Sequence, residues 1–294
     1  MRQTARPRRS VLYMPGSNAR AQEKAKSLPA DALILDLEDA VAPDAKAEAR
    51  GIVCDNVRSG GYGGRELIIR VNGLETPWGR DDLVAAAGAG ADAILLPKVE
   101  SGQQVRAAEA LMDAHGAAAT TAIWCMMETP RGILQAAEIA GSTPRLGCLV
   151  MGTSDLTKDL HARHTQARLP MLTSLGLCLL AARAHDLAIL DGVYLDLANG
   201  EGFAESCRQG LELGFDGKTL IHPSQVAGAN EIFGPTAAEI AESKEIITAF
   251  AAADAAGKAV VVVNGRLVEN LHVENARRIV EMAAAIEALE SGAA

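Results

Sequence analysis

The chain has 294 residues, a formal net charge of −9, 49% hydrophobic residues and only 3% aromatic ones. That length suits one large catalytic domain with an appendage or two small domains, and a core poor in aromatics must be built from Ala, Val, Leu and Ile, as in parallel α/β proteins. The acidic balance argues against general nucleic-acid binding, no apolar run approaches the roughly 18 residues of a membrane span, and five cysteines at 54, 125, 148, 178 and 207 form no CxxC pair, which suits reduced thiols in a cytoplasmic protein better than structural zinc.

In chain order, the stretch 2–9 carries Arg2, Arg6, Arg8 and Arg9 and reads as a solvated basic tail. The apolar segment behind it, 10–14, is too short for the h-region of a signal peptide. Short apolar runs follow at 11–14, 32–37, 67–71, 93–96, 122–127, 148–151, 188–190 and 217–221. They alternate with helix candidates at 19–26, 45–59, 78–89, 102–114, 132–140, 172–185 and 202–213. Eight such strands predict an α/β fold, a (β/α)8 TIM-like barrel occupying residues 1–231. A doubly wound open sheet is the competing architecture, but the first strand runs into Pro15-Gly16-Ser17-Asn18 rather than a GxGxxG turn. Residues 232–294 read as a helix–hairpin–helix extension, a C-terminal helical lid. Its first helix, 235–252, has Thr236 as N-cap and Glu239 at the capping-box position. A β-branched run at 260–263 leads to an Asn264-Gly265 hairpin turn, and a last helix covers 271–289.

In a barrel, the residues that end the strands line one face, where active sites form. Here they are Asp36, Glu38 and Asp39, then Arg70 and Asn72, Pro97-Lys98, Glu128, Asp155, Asp191-Gly192 and Lys218. Glu128 and Asp155 each follow a buried apolar run. Two carboxylates with open positions for water and substrate oxygens suit a hard cation, Mg²⁺ or Mn²⁺ in its place. Such a cation polarises the oxygens of an α-hydroxy or α-keto acid and orients it. Arg70 offers a bidentate fork to a substrate carboxylate or a developing enolate, unless a salt bridge to Glu38 or Asp39 occupies it. Asp36 and Glu38 sit at alternate positions and share a side, so one of them is expected to order metal-bound water or Arg70. Tyr13 ends the first strand, and Arg20 and Lys24 share a helix face that suits a polyphosphate such as that of coenzyme A. No histidine is assigned as a base, and no Gly-x-Ser-x-Gly elbow points to a serine hydrolase.

Taken together, SVLYMPG (10–16), LDLEDAV (35–41), RVNG (70–73), LPK (96–98), METPRG (127–132), GTSD (152–155) and KTLIHPSQ (218–225) resemble the citrate lyase β-subunit/malyl-CoA lyase family of CoA-ester lyases. The likeness runs through nearly the whole chain in order. It implies a TIM-like barrel, a trimeric or hexameric homo-oligomer and Mg²⁺. It also implies cleavage of a 3-hydroxyacyl-CoA, such as (3S)-malyl-CoA or citramalyl-CoA, into a CoA ester and a keto acid. By the same likeness Glu128 and Asp155 match the metal ligands, Arg70 the substrate arginine, and Tyr13, Arg20 and Lys24 the positions that contact the CoA substrate. GRLVE (265–269) looks like the lid segment that family members place over a neighbouring subunit's site. It puts Glu269 where the lyases usually carry Asp, so Glu269, Arg70 and Glu38 form the expected catalytic set. VENLHVENAR (268–277), with GTSDL (152–156), is more similar to the (3S)-malyl-CoA thioesterase branch, which makes thioester hydrolysis the alternative to C–C cleavage. A CoA-independent class II pyruvate aldolase is a further alternative that would need neither Arg20 nor Lys24. A non-catalytic accessory chain is the last, and the self-contained tail argues against it.

Overall fold

The computed structural model describes residues 6–292. Eight parallel strands close into a barrel in sequence order: β1 (Ser10–Pro15), β2 (Ala32–Asp36), β3 (Glu66–Arg70), β4 (Ala93–Leu96), β5 (Ala122–Met127), β6 (Leu146–Met151), β7 (Ala188–Asp191) and β8 (Gly217–Leu220), which pairs back onto β1. Around them lie α1 (Ala19–Ala25), α2 (Lys46–Ser59), α3 (Gly79–Ala87), α4 (Gly102–Ala114), α5 (Pro130–Leu134), α6 (Ala136–Ala140), α7 (Thr153–Asp159), α8 (Leu172–Ala184), α9 (Gly200–Leu213) and α10 (Val226–Phe233). The (β/α)8 architecture expected from the apolar runs is the one observed.

The runs are nearly continuous because barrel strands are buried on both faces. Side chains alternate along each strand. One set, with Val11, Ile34, Ile68, Leu95, Trp124 and Val150, fills the barrel interior. The other, with Leu12, Leu33, Leu35, Ile69, Ile94 and Leu149, packs in the layer shared with the helices.

Three features differ from the sequence expectation. The helix expected at 132–140 is split at Gln135, whose backbone (φ −101°, ψ 12°) leaves the helical region between α5 and α6. Arg8 and Arg9 are not a solvated tail. The Arg8 guanidinium pairs with Glu66 (2.6 and 2.8 Å) and lies 5.3 Å over the Trp124 ring, while Arg9 pairs with Asp31 at 2.9 and 3.0 Å. Composition shows the arginines but not the carboxylates that await them at the N-terminal ends of β3 and β2. Arg2 lies outside the described residues. Lys218 does not line the active face. Its neighbour Thr219 pairs with Val11, an interior residue, so alternation sends Lys218 outward, where it is fully buried against Asp191.

Arg8–Phe233 form one compact unit, and residues 234–292 belong to a second. In the second, α11 (Ala237–Ala255) starts at the Thr236–Glu239 capping box. β9 (Val261–Val263) and β10 (Arg266–Val268) then form an antiparallel hairpin over Asn264 and Gly265, both at positive φ, before α12 (Asn270–Glu290). Val263, Val268 and Val273 make a small core with Ile246 and Phe250. Among the described residues, no helix is long and apolar enough to cross a membrane.

Candidate active site

The carboxyl ends of β2 to β6 bring Asp36, Glu38, Arg70, Lys98, Glu128 and Asp155 into one linked set of charges. Asp36 and Arg70 are the last residues of adjacent strands and direct register partners. Arg70 Nε and Nη2 donate to Asp36 Oδ1 and Oδ2 at 2.6 and 2.7 Å. Its third nitrogen, Nη1, lies 2.9 Å from Glu38 Oε2 and 3.3 Å from Asp39 Oδ2. The contact with Glu38 is an ion pair without hydrogen-bond geometry. The guanidinium also stands 4.9 Å over the Tyr13 ring, whose hydroxyl reaches Met126 Sδ at 3.4 Å. Tyr13 is thus a platform under Arg70.

The loop after β2 is pinned from several sides. Asp36 accepts the N–H groups of Glu38 and Ala40 at 2.9 and 3.0 Å. Lys46 Nζ donates to the carbonyls of Leu37 and Glu38, and Asn72 Nδ2 to that of Leu37. Glu38 therefore projects from a rigid turn. Its Oε1 accepts from Lys98 Nζ at 2.5 Å.

Glu128 follows β5 and is only 2% exposed. Thr129 caps α5 and Pro130 starts it, which fixes the turn after Glu128. Gly152 makes room for the carboxylate, since a Cβ there would stand 2.3 Å from Glu128 Cβ and 2.5 Å from Oε2. Glu128 Oε1 accepts the Lys98 N–H at 2.8 Å. Asp155, half-buried, sits in the first turn of α7, a favourable place for an acid. Its Oδ2 lies 3.7 Å from Lys98 Nζ.

Lys98 is the junction that sequence reasoning passed over. It contacts Glu38, Glu128 and Asp155, and only its place at a strand end hinted at this. Burial disfavours its charge, but the bond to Glu38 and the nearby carboxylates outweigh that and raise the ammonium above its ordinary range. For Glu128, burial first and the Glu38 charge second push the carboxyl up to about 7.

With all five ionised, Asp36, Glu38, Asp39, Glu128 and Asp155 meet, among the described residues, the two cationic side chains of Arg70 and Lys98. This surplus of negative charge around a buried carboxylate fits a divalent cation bound by hard oxygen donors. Among the described residues no group of three His, Cys, Asp or Glu is arranged to hold a metal. A cation on Glu128 and Asp155 would therefore be completed by water and substrate oxygens.

Residues 9–223 match the model of the HpcH/HpaI aldolase/citrate lyase family. The chain belongs to that family. It is 51% identical to a (3S)-malyl-CoA thioesterase of Cereibacter sphaeroides over 98% of this chain and 99% of the relative. It is 36% identical to an L-malyl-CoA/β-methylmalyl-CoA lyase of the same species, over 97% of each chain. Among solved structures, CitE of Mycobacterium tuberculosis in complex with magnesium, acetoacetate and coenzyme A superposes with a TM-score of 0.76 at 28% identity, covering 96% of this chain and all of that one.

Of the other residues expected to act in this HpcH/HpaI chain, Arg20 and Lys24 are exposed on α1 and stand outside the charge cluster. Glu269 belongs to the second unit, exposed at the N-cap of α12, where its N–H donates to His272 Nδ1 at 3.0 Å.

Proposed function

We propose that this chain is an Mg²⁺-dependent enzyme that hydrolyses the thioester of a 3-hydroxyacyl-CoA of the (3S)-malyl-CoA type. The observation that carries this reading is the 51% identity, end to end, to a (3S)-malyl-CoA thioesterase. It puts hydrolysis ahead of the C–C cleavage that the family likeness suggests first. The charge cluster supports an anionic, metal-chelating substrate.

Glu128 and Asp155 would hold a divalent cation, which would supply Lewis-acid polarisation of the hydroxy-acid substrate. Arg70, locked by Asp36 and backed by Tyr13, presents a fixed positive charge to a substrate carboxylate or to charge developing on the thioester oxygen. Arg20 and Lys24 bind the polyphosphate of the CoA moiety. Glu269, supplied by a neighbouring subunit of a trimer or hexamer, takes a proton from the attacking water. The water oxygen bonds to the thioester carbon, the C–S bond breaks, and the proton passes to the thiolate, leaving malate and free coenzyme A.

A second reading, Claisen-type cleavage to acetyl-CoA and glyoxylate, is favoured by the 36% identity to the malyl-CoA lyase. There Glu269 removes the hydroxyl proton and Arg70 stabilises the thioester enolate. One assay separates them: purified protein with (3S)-malyl-CoA and Mg²⁺, following glyoxylate and free thiol independently. Free thiol with malate and no glyoxylate is the expected result. Glyoxylate without free thiol establishes the lyase, and neither product removes malyl-CoA as substrate.

A further inference from the structure

We infer that Lys98 is a positioning residue of the cation site: its main chain aims Glu128, and its ammonium is a resident positive charge that an incoming divalent cation must displace from Asp155. The inference rests on the reading of Glu128 and Asp155 as a cation-binding pair.

The geometry begins with the backbone. Lys98 has φ +47°, a left-handed conformation that residues bearing a Cβ rarely adopt. Such a conformation persists where its surroundings impose it, typically at functional sites. The Lys98 N–H, in the peptide plane that leaves β4, donates to Glu128 Oε1 at 2.8 Å and so orients one member of the pair, while the left-handed φ sets where the side chain leaves that plane.

The side chain reaches the other member. Lys98 Nζ lies 3.7 Å from Asp155 Oδ2 and 2.5 Å from Glu38 Oε1. The two partners differ in how firmly they are held. Glu38 is 8% exposed and tied to Arg70 on its far side, whereas the Lys98 side chain is 41% exposed and has room to move. Glu38 is therefore a built seat for the ammonium once Asp155 turns to a cation. The ammonium partly neutralises both carboxylates and opposes a divalent cation beside them by like-charge repulsion.

Removing the ammonium strengthens cation binding in two ways. The repulsion disappears, and Glu38 and Asp155 lose the charge that neutralised them. Loss of a merely structural lysine acts in the opposite direction, by loosening the pair.

The test is titration of Mn²⁺ into the full-length protein, read by electron paramagnetic resonance and calorimetry, with thermal melting in parallel. Lys98→Met is expected to bind Mn²⁺ at least about fivefold more tightly than the unsubstituted protein, and Lys98→Arg within about twofold of it. The Mn²⁺-induced rise in Tm should be larger in Lys98→Met. Lys98→Gln serves the same comparison where Lys98→Met does not melt cooperatively. Equal or weaker binding in a cooperatively melting variant overturns the role of Lys98 and leaves the cation pair standing. No Mn²⁺ binding by the unsubstituted protein removes the pair itself, and the inference with it.

Discussion

Asp36 and Arg70 end neighbouring strands at the same register position and lock together through two parallel hydrogen bonds of 2.6 and 2.7 Å. The pair converts a flexible side chain into a fixed fork and also ties down the turn that carries Glu38, because Asp36 accepts the Glu38 N–H. Asp36→Asn keeps the shape and removes the charge. Arg70 would keep one neutral acceptor at that position, and its charged partners would be Glu38 and exposed Asp39. Turnover is expected to fall at least about 100-fold through misplacement of the guanidinium. Breaking one side of a buried pair should cost about 3–5 kcal/mol in urea unfolding. Unchanged turnover would show that Arg70 is oriented by something other than Asp36.

If Glu128 is a cation ligand, its raised pKa makes cation binding pH-dependent. Burial, then the Glu38 charge, raise its carboxyl to about 7 in the folded protein, above the ordinary value. The neutral form is thus favoured by folding. That contribution is fully present below the unfolded pKa of about 4.3 and is lost as pH rises through about 7, on the order of 3–4 kcal/mol. A cation binds the ionised form. Its affinity should therefore be flat above pH 7 and fall toward tenfold per pH unit below it. Calorimetry with Mn²⁺ from pH 6 to 8 measures this. A flat profile places the Glu128 pKa outside that range.

Most of the barrel was legible because its strands are apolar on both faces, so each run stands out from the Ala-rich helices. The site was legible as residue types at strand ends. Glu128, Asp155, Arg70 and Glu38 are connected in the structure, and the salt bridges raised as alternative partners for Arg70 are present, with Asp36 as its strongest. Contacts made by long-range geometry were not legible. Lys98 reaches Glu128 through its backbone N–H, a contact its side-chain type does not announce. Arg168 meets Asp191 across 23 positions, and Lys218 meets the same carboxylate across 27. Arg8 and Arg9 looked like a tail because Glu66 and Asp31 are distant in sequence.

Asp191 serves two cations at once. Lys218 Nζ donates to its Oδ2 at 2.7 Å, and Arg168 Nη1 reaches both oxygens at 2.7 Å; Asp191 and Lys218 are fully buried outside the barrel wall and Arg168 partly so. Desolvation alone would raise the Asp191 carboxyl, but the Lys218 and Arg168 charges outweigh it and hold the group below its ordinary range. Removal of the shared anion leaves the fully buried Lys218 ammonium unpaired and takes the carboxylate from Arg168, so Asp191→Ala is expected to cost about 3–5 kcal/mol. Lys218→Met leaves the Asp191–Arg168 pair whole and replaces a buried ammonium by an apolar chain of similar size, so less than about 1.5 kcal/mol is expected. Urea midpoints compare the two directly. Equal losses would mean that both cations depend on each other rather than on Asp191.

Glu269 stands exposed at the N-cap of α12, in the unit that does not carry the charge cluster. If it is the base of the reaction, its carboxylate acts on the proton and not on substrate binding. Glu269→Gln should then lower kcat by about 10²–10⁴-fold and leave KM nearly unchanged. As an exposed cap with no packed side chain, it should alter stability by less than about 0.5 kcal/mol. Whether it acts on its own barrel or on a neighbour's is decided by complementation. Glu269→Gln and Arg70→Ala chains, each inactive alone, are co-expressed and purified as mixed oligomers. Action across a subunit boundary restores activity, because one composite site then contains both an intact Arg70 and an intact Glu269. Mixed oligomers that stay as inactive as either parent would confine Glu269 to its own chain, and full activity of Glu269→Gln alone would remove it from the chemistry.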